Sequence, residues 1–287
     1  MKKLALLLLC IIMILSLVAC STDQEPEASS TPAVSSTPAI SNSPSILETP
    51  VSDFEYYIDG DYIMIDKYLG NDEYVNIPNE IENCQVVSTY VGAFRENDLK
   101  SVIIPDSIVC IGANTFANCK NLTSVTFGNG ITEIQAGAFK GCIALKNIVL
   151  PKSLKKLDNG TFENCTALEA VHIPGSVTTL GTSCFANNTV LLSITLEDGV
   201  KKIGDMAFYA ATSLETLTIP ASVDEIGYGA FSKCSSLKSV TFLGNAPALK
   251  GTEPFGAPNP NLIIYYDANS SGWDISPLKE LYTLIAT

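Results

Sequence analysis

The sequence holds one histidine, one tryptophan and no two cysteines separated by two residues. A structural zinc site draws its ligands from Cys and His at short regular spacings, so no metal is expected. Basic residues are also scarce, with 17 Lys and Arg against 30 Asp and Glu. Lys2 and Lys3 lie in a segment read below as removed, which leaves 15 against 30 and a net charge of −15. A phosphate backbone repels such a surface, and no nucleic-acid partner is expected. The longest apolar run, residues 4–18, falls short of the roughly 20 residues that span a bilayer.

What is present begins with an address. Lys2 and Lys3 precede that run, which reads as a signal peptide over residues 1–19. It ends Leu17-Val18-Ala19-Cys20, which resembles the lipobox of bacterial lipoproteins. The resemblance implies acylation of the Cys20 thiol, and two acyl chains anchor stably where one is marginal. The expected location is outside the cell, lipid-anchored, with membrane contact only through Cys20. Residues 20–52 form a linker of Ser, Thr, Ala and Pro without an aromatic residue, with Pro26, Pro32, Pro38, Pro44 and Pro50 six apart. Proline at that spacing permits neither helix nor sheet and leaves an extended spacer.

The remainder repeats every 23 residues. Leu99, Leu122, Leu145, Leu168, Leu191, Leu214 and Leu237 keep the period without a slip. Phe116, Phe139, Phe162, Phe185, Phe208 and Phe231 keep it too, with Phe94 one residue out of step before them. Columns running from Val102, from Ile104 and from Ile111 hold the same register. Such a period predicts a repeat solenoid, mainly short β-strands with short helical or irregular connections, in which stacked turns share a core that none could bury alone. Strand alternation turns residues 102 and 104 inward and 103 outward. Pro105, Pro151, Pro174 and Pro220 end the strands, and Gly112, Gly181, Gly204 and Gly227 are expected to let the backbone bend.

The stretch Cys142-Ile-Ala-Leu145-Lys-Asn-Ile148-Val-Leu150-Pro151, with Ala138-Phe139 before it, resembles the BspA-like bacterial leucine-rich repeats over roughly residues 53–287. The resemblance implies a leucine-rich-repeat fold and a surface or secreted binding protein, an adhesin in several members, without naming a ligand. The sequence departs from the pattern at Asn188 and Ala211 in the cysteine column and at Gly128 and Glu197 in the proline column.

Both solenoid ends require caps, because an exposed end is an open sheet edge. Residues 53–98 read as a hairpin turning at Asp59-Gly60 and a degenerate first repeat around Val75, residues 99–243 as the solenoid, and residues 244–287 as a carboxy-terminal cap with a strand at 262–266 and Trp273.

Candidate chemistry is sparse. Cys119, Cys142, Cys165 and Cys234 share one column and are expected to fill space as buried small hydrophobes, without disulfides; Cys184 is read the same way, and Cys84 and Cys110 stay unassigned. His172 projects from a strand, and its column neighbours offer hydroxyls but no carboxylate, so no catalytic residue is expected. The acidic hairpin, with Asp53, Glu55, Asp59, Asp61, Asp66, Asp72 and Glu73, lacks calcium-loop spacing. No cofactor is called for. The candidate binding surface is the outward column Ile103, Thr126, Val149, His172, Thr195, Thr218 and Thr241, flanked by Lys100, Lys146, Glu169, Glu215 and Lys238. Mixed polarity of this kind suits an extracellular or host protein as partner. The alternative is a structural or glycan-binding envelope component using Tyr265, Tyr266 and Trp273.

Overall fold

In the computed structural model the described residues are 48–251, 253–256 and 261–287. The signal segment, Cys20 and most of the proline-spaced linker lie outside them. No helix among the described residues is long and apolar enough to cross a membrane.

The described chain winds as a stack of similar coils, each contributing to two parallel sheets and a turn face. The first, wide sheet carries ten short strands in three blocks lying side by side. The blocks run from Tyr74–Asn76 to Ser124–Phe127, from Asn147–Val149 to Ser193–Leu196, and from Thr216–Ile219 to Thr283–Ala286. The second, narrow sheet is built from two-residue strands such as Cys110–Ile111, Glu133–Ile134 and Lys156–Leu157, again in parallel register. Its isoleucine and leucine column was legible from the sequence as an apolar period, but two residues are too few to alternate visibly.

Inside the coils, the Leu, Val and Ile columns are buried except at Val125 and Phe127, which are half-buried, and the phenylalanines form a ladder through the centre. From Phe139 to Phe231 successive rings lie 5.2–5.4 Å apart, tilted by no more than 10°. Each stacked pair contributes about 0.5–1.5 kcal/mol beyond its area. Phe94, one residue out of register, still stacks on Phe116 at 4.9 Å, and Tyr68 stacks on Phe94 at 5.2 Å. At the other end Phe255 stacks on Phe231 at 5.6 Å, and Tyr282 closes the column edge-on to Phe255.

The turn face has its own inter-coil ladder. In one coil Asn114, Phe116 and Asn118 donate their N–H groups to the carbonyls of Ala136, Ala138 and Lys140 in the next, at 2.9, 2.7 and 2.7 Å. The same three bonds recur from Gly137, Phe139 and Gly141, and from Gly160, Phe162 and Asn164. Aiming alternate N–H groups along the stack requires left-handed backbone at two positions per coil. Gly137, Gly160 and Gly229 take it without steric cost, while Asn114, Ser183 and Met206 take it at φ of 54–55°.

Gly112, Gly181, Gly204 and Gly227 act differently from the sequence expectation. Their φ is not left-handed; instead the backbone of the preceding coil passes so close that a Cβ on Gly204 would sit 2.6 Å from the Leu180 carbonyl oxygen. Close approach, not bending, excludes a side chain there.

The ends are covered. The antiparallel strands Phe54–Asp59 and Tyr62–Tyr68 form the amino-terminal hairpin and extend the narrow sheet. Residues 48–52, at the close of the expected linker, belong to the fold: Thr49 is buried and exchanges two hydrogen bonds with Asn76, covering the first strand of the wide sheet. At the far end Ile263–Tyr266, the short helix Leu278–Leu281 and the final strand Thr283–Ala286 complete the stack. The last strand was not foreseen, because the 23-residue period is broken before it.

Candidate functional site

The outward column is brought together as a row across the wide sheet. Ile103 is the register partner of Thr126; Val149 pairs with His172 and His172 with Thr195; Thr218 pairs with Thr241. Parallel strands of equal length place each of these side chains on the same side of the sheet, one strand spacing apart. Thr126, Val149, His172, Thr195 and Thr218 are exposed, Val149 at 82%, while Ile103 and Thr241 are half-buried.

The structure lengthens this row at both ends. Asn76 precedes Ile103, and Tyr265 and Ile285 follow Thr241. Neither Tyr265 nor Ile285 was traceable by counting, because Tyr265 lies 24 residues after Thr241 and Ile285 only 20 after Tyr265. Across ten strands at ~4.8 Å the row runs roughly 40 Å. A second row lies two residues earlier on each strand and includes Ser124, Asn147, Ser193, Thr216 and Ser239. The sequence reading missed it, although outward positions recur every second residue and both rows were available to the same argument.

His172 is not without a carboxylate. Its Nε2 lies 2.8 Å from Oε1 of Glu197, and Oε2 of Glu197 accepts the Gly175 N–H at 2.8 Å. Glu197 stands where other coils have the turn proline, two residues beyond Thr195, so it lies off the column that was inspected. These contacts hold the Glu197 carboxyl below the usual carboxylate value, the Gly175 N–H contributing most and His172 next. The imidazole thereby becomes a strap between adjacent coils on the sheet surface.

The flanking charges are partly neutralised in pairs. Lys100 meets Glu73 at 2.8 Å and Lys238 meets Glu215 at 2.8 Å, each across neighbouring coils. Those pairs stand near the two ends of the sheet, with Val149, His172 and Thr195 between them.

Trp273 offers no sugar platform. It is 4% exposed, stacks on Tyr266 at 4.9 Å, takes Phe242 edge-on at 4.9 Å, and donates its indole N–H to the Gly244 carbonyl at 3.2 Å. The terminal aromatics close the core, and only Tyr265 of the three expected residues joins the outward row.

The column cysteines are buried free thiols, and they do more than fill space. Cys119, Cys142, Cys165 and Cys234 each donate S–H to the carbonyl of a ladder phenylalanine in the preceding coil, at 3.1–3.3 Å. Asn188, in the same column, donates its Nδ2 to Phe162 in the same way at 3.1 Å. Burial pushes the Cys119, Cys165 and Cys234 thiols up to about 12 and raises those of Cys142 and Cys184 as well. Thiols so raised are not nucleophiles.

Sequence comparison matches the BspA type leucine rich repeat region in six copies, over residues 88–213 and 167–251. A solved leucine-rich repeat protein of T. pallidum is 31% identical, with 67% of this chain and 91% of that chain aligned and a TM-score of 0.63. A leucine-rich repeat protein from Bacteroides ovatus shares the fold at 21% identity, with 77% of this chain and 71% of that chain aligned and a TM-score of 0.58. No curated protein matches the sequence.

Proposed function

The chain belongs to the BspA-type leucine-rich-repeat family, and on that premise we propose that it is an exported, lipid-anchored binding protein that takes a partner protein on the outer rows of its wide sheet. The observation that carries this reading is the register of Val149, His172 and Thr195 at the centre of a row some ten strands long. A surface of β-branched, hydroxyl and imidazole groups, fixed by the rigid strands beneath, loses little side-chain entropy when a partner covers it. The charges Lys100, Lys146, Glu169, Glu215 and Lys238 lie along one side of the row and supply a polar rim to it, as at protein interfaces. The acidic net charge disfavours nucleic acid. Anchoring rests on Cys20, and the segment between it and residue 48 would carry the solenoid away from the membrane. His172 and Glu197 act here as a surface strap, and the reading assigns no catalytic role to any residue.

The test is a screen of the full chain against arrayed extracellular-matrix proteins, beside a variant carrying His172→Lys, Thr195→Lys and Thr218→Lys. A protein ligand bound by the parent and lost by the variant is the expected result. No protein ligand, or one that the folded variant still binds equally well, overturns the reading.

A further inference from the structure

The turn face carries a depression, floored by glycine and alanine and edged by polar side chains, that the row on the wide sheet does not use. It crosses the ladder positions of four successive coils and has a volume of about 320 Å³, with Asn114, Gly137, Lys140, Gly160, Glu163 and Ser183 among its lining. Its existence follows from the backbone. The first left-handed position is glycine in the two central coils, Gly137 and Gly160, whereas Asn114 and Ser183 hold it on either side, so side chains are missing in the middle and present at the sides. The side groups then lean over the gaps: a Cβ on Gly137 would lie 2.5 Å from Asn114 Oδ1, and one on Gly160 would lie 3.0 Å from Glu163 Oε2. In the next coil toward the carboxy-terminal end the same columns hold Met206 and Tyr209, with Lys233 seated 5.0 Å over the Tyr209 ring, so bulkier groups bound the depression on that side.

The chemistry of the lining selects among ligands. Lys140 and Glu163 meet at 2.8 Å, so the one cation and the one anion in the depression answer each other, and neither a free phosphate nor a free ammonium gains a net charge partner. The remaining polar groups are neutral amides and hydroxyls, which present donors and acceptors side by side. The floor is glycine and alanine, with no deep apolar hole to anchor a leucine or an aromatic side chain. A ligand dense in groups that both donate and accept, with no charge and a shallow C–H face to lay on the glycines, fits these three conditions. We infer that this depression is a binding site for a neutral saccharide of one to two sugar units, on a face separate from the protein-binding rows.

The experiment is saturation-transfer NMR on the full chain with maltose, cellobiose and di-N-acetylchitobiose as probes at millimolar concentration. It is repeated with Ala136→Tyr, which fills the depression from a half-buried position whose backbone carbonyl stays in the ladder. A second variant, Lys140→Ala with Glu163→Ala, removes the polar wall without adding bulk. The expected result is transfer to at least one probe, reduced at least tenfold in apparent affinity by either variant and unchanged by the three lysines placed on the wide sheet. Circular dichroism shows whether Ala136→Tyr folds, and the double alanine variant decides the question if it does not. Transfer to none of the probes, or transfer that survives in a folded variant of either kind, overturns the inference. Since the wide-sheet variant is scored separately, failure here leaves the protein-binding reading standing, and failure there leaves this one.

Discussion

The imidazole of His172 and the carboxylate of Glu197, 25 residues apart in sequence, lie 2.8 Å apart on the surface of adjacent coils. The contact exists because Glu197 replaces a proline at the end of its strand, and because its second oxygen is fixed by the Gly175 N–H. Both groups are largely exposed.

The Glu197 carboxyl accordingly titrates below the usual 4.5. A depressed folded-state value means that the stabilisation is complete above the unfolded-state value and lost as pH falls through the folded one. NMR titration should place Glu197 below the usual carboxylate value. His172→Gln should move it back only part of the way, since the Gly175 bond is the larger cause. The difference in melting temperature between the parent and Glu197→Gln should shrink as pH falls below 4.5.

The cysteine column predicts both stability and reactivity. Ala211 cannot donate to the preceding coil, so Ala211→Cys should stabilise the protein by about 0.5–1 kcal/mol in urea denaturation. Asn188 is fully buried and its Oδ1 finds no partner among the described residues, so Asn188→Cys should gain about 1–2 kcal/mol. Iodoacetamide at pH 8 should leave Cys119, Cys142, Cys165 and Cys234 unmodified until denaturant is added, whereas half-buried Cys84 should react in the folded protein. Modification of the column in the native state would contradict the burial described.

Two glycines separate conformational strain from steric exclusion. Gly60 is left-handed in open space, so Gly60→Ala should cost about 1 kcal/mol. Gly204 is not left-handed, yet its added Cβ would meet backbone of two residues in the coil before it, and Gly204→Ala should cost more, about 2–3 kcal/mol. Chemical denaturation of the two variants side by side decides the order.

Within the phenylalanine ladder, Phe162 stacks on both neighbours at 5.2 Å. Phe162→Ala should lose about 3–5 kcal/mol and Phe162→Leu about 1–3, the smaller loss reflecting retained apolar area without the ring contacts. Equal losses in the two variants, read from urea midpoints, would deny the stacking any share.

Replacing Cys20 by Ser should abolish incorporation of labelled fatty acid and move the protein from the membrane to the soluble exported fraction. Unchanged labelling would remove the anchor from the proposed function.

How much was legible depends on where the period held. From Leu99 to Leu237 seven leucines repeat without a slip, and side-chain alternation then identifies which strand positions face outward, so Ile103 through Thr241 could be aligned by arithmetic. Tyr265 and Ile285 belong to the same row but follow intervals of 24 and 20 residues, and only strand pairing assigns them. Trp273 shows the same limit: composition allows an indole either to cap the sheet end or to stack on a sugar, and only the structure has Tyr266 and Phe242 packed against it.

The sequence by itself determined the coil, because a hydrophobic period of 23 residues has no way to be buried except by stacking turns. It also determined which face of each strand meets solvent. Only the tertiary structure decided which off-column groups meet. Glu197 reaches His172, Lys100 reaches Glu73, and the glycines at 137 and 160 open a depression bounded by Asn114 and Glu163. Each of these depends on the ångström-scale offset between one coil and the next, a distance set by packing that the period does not encode.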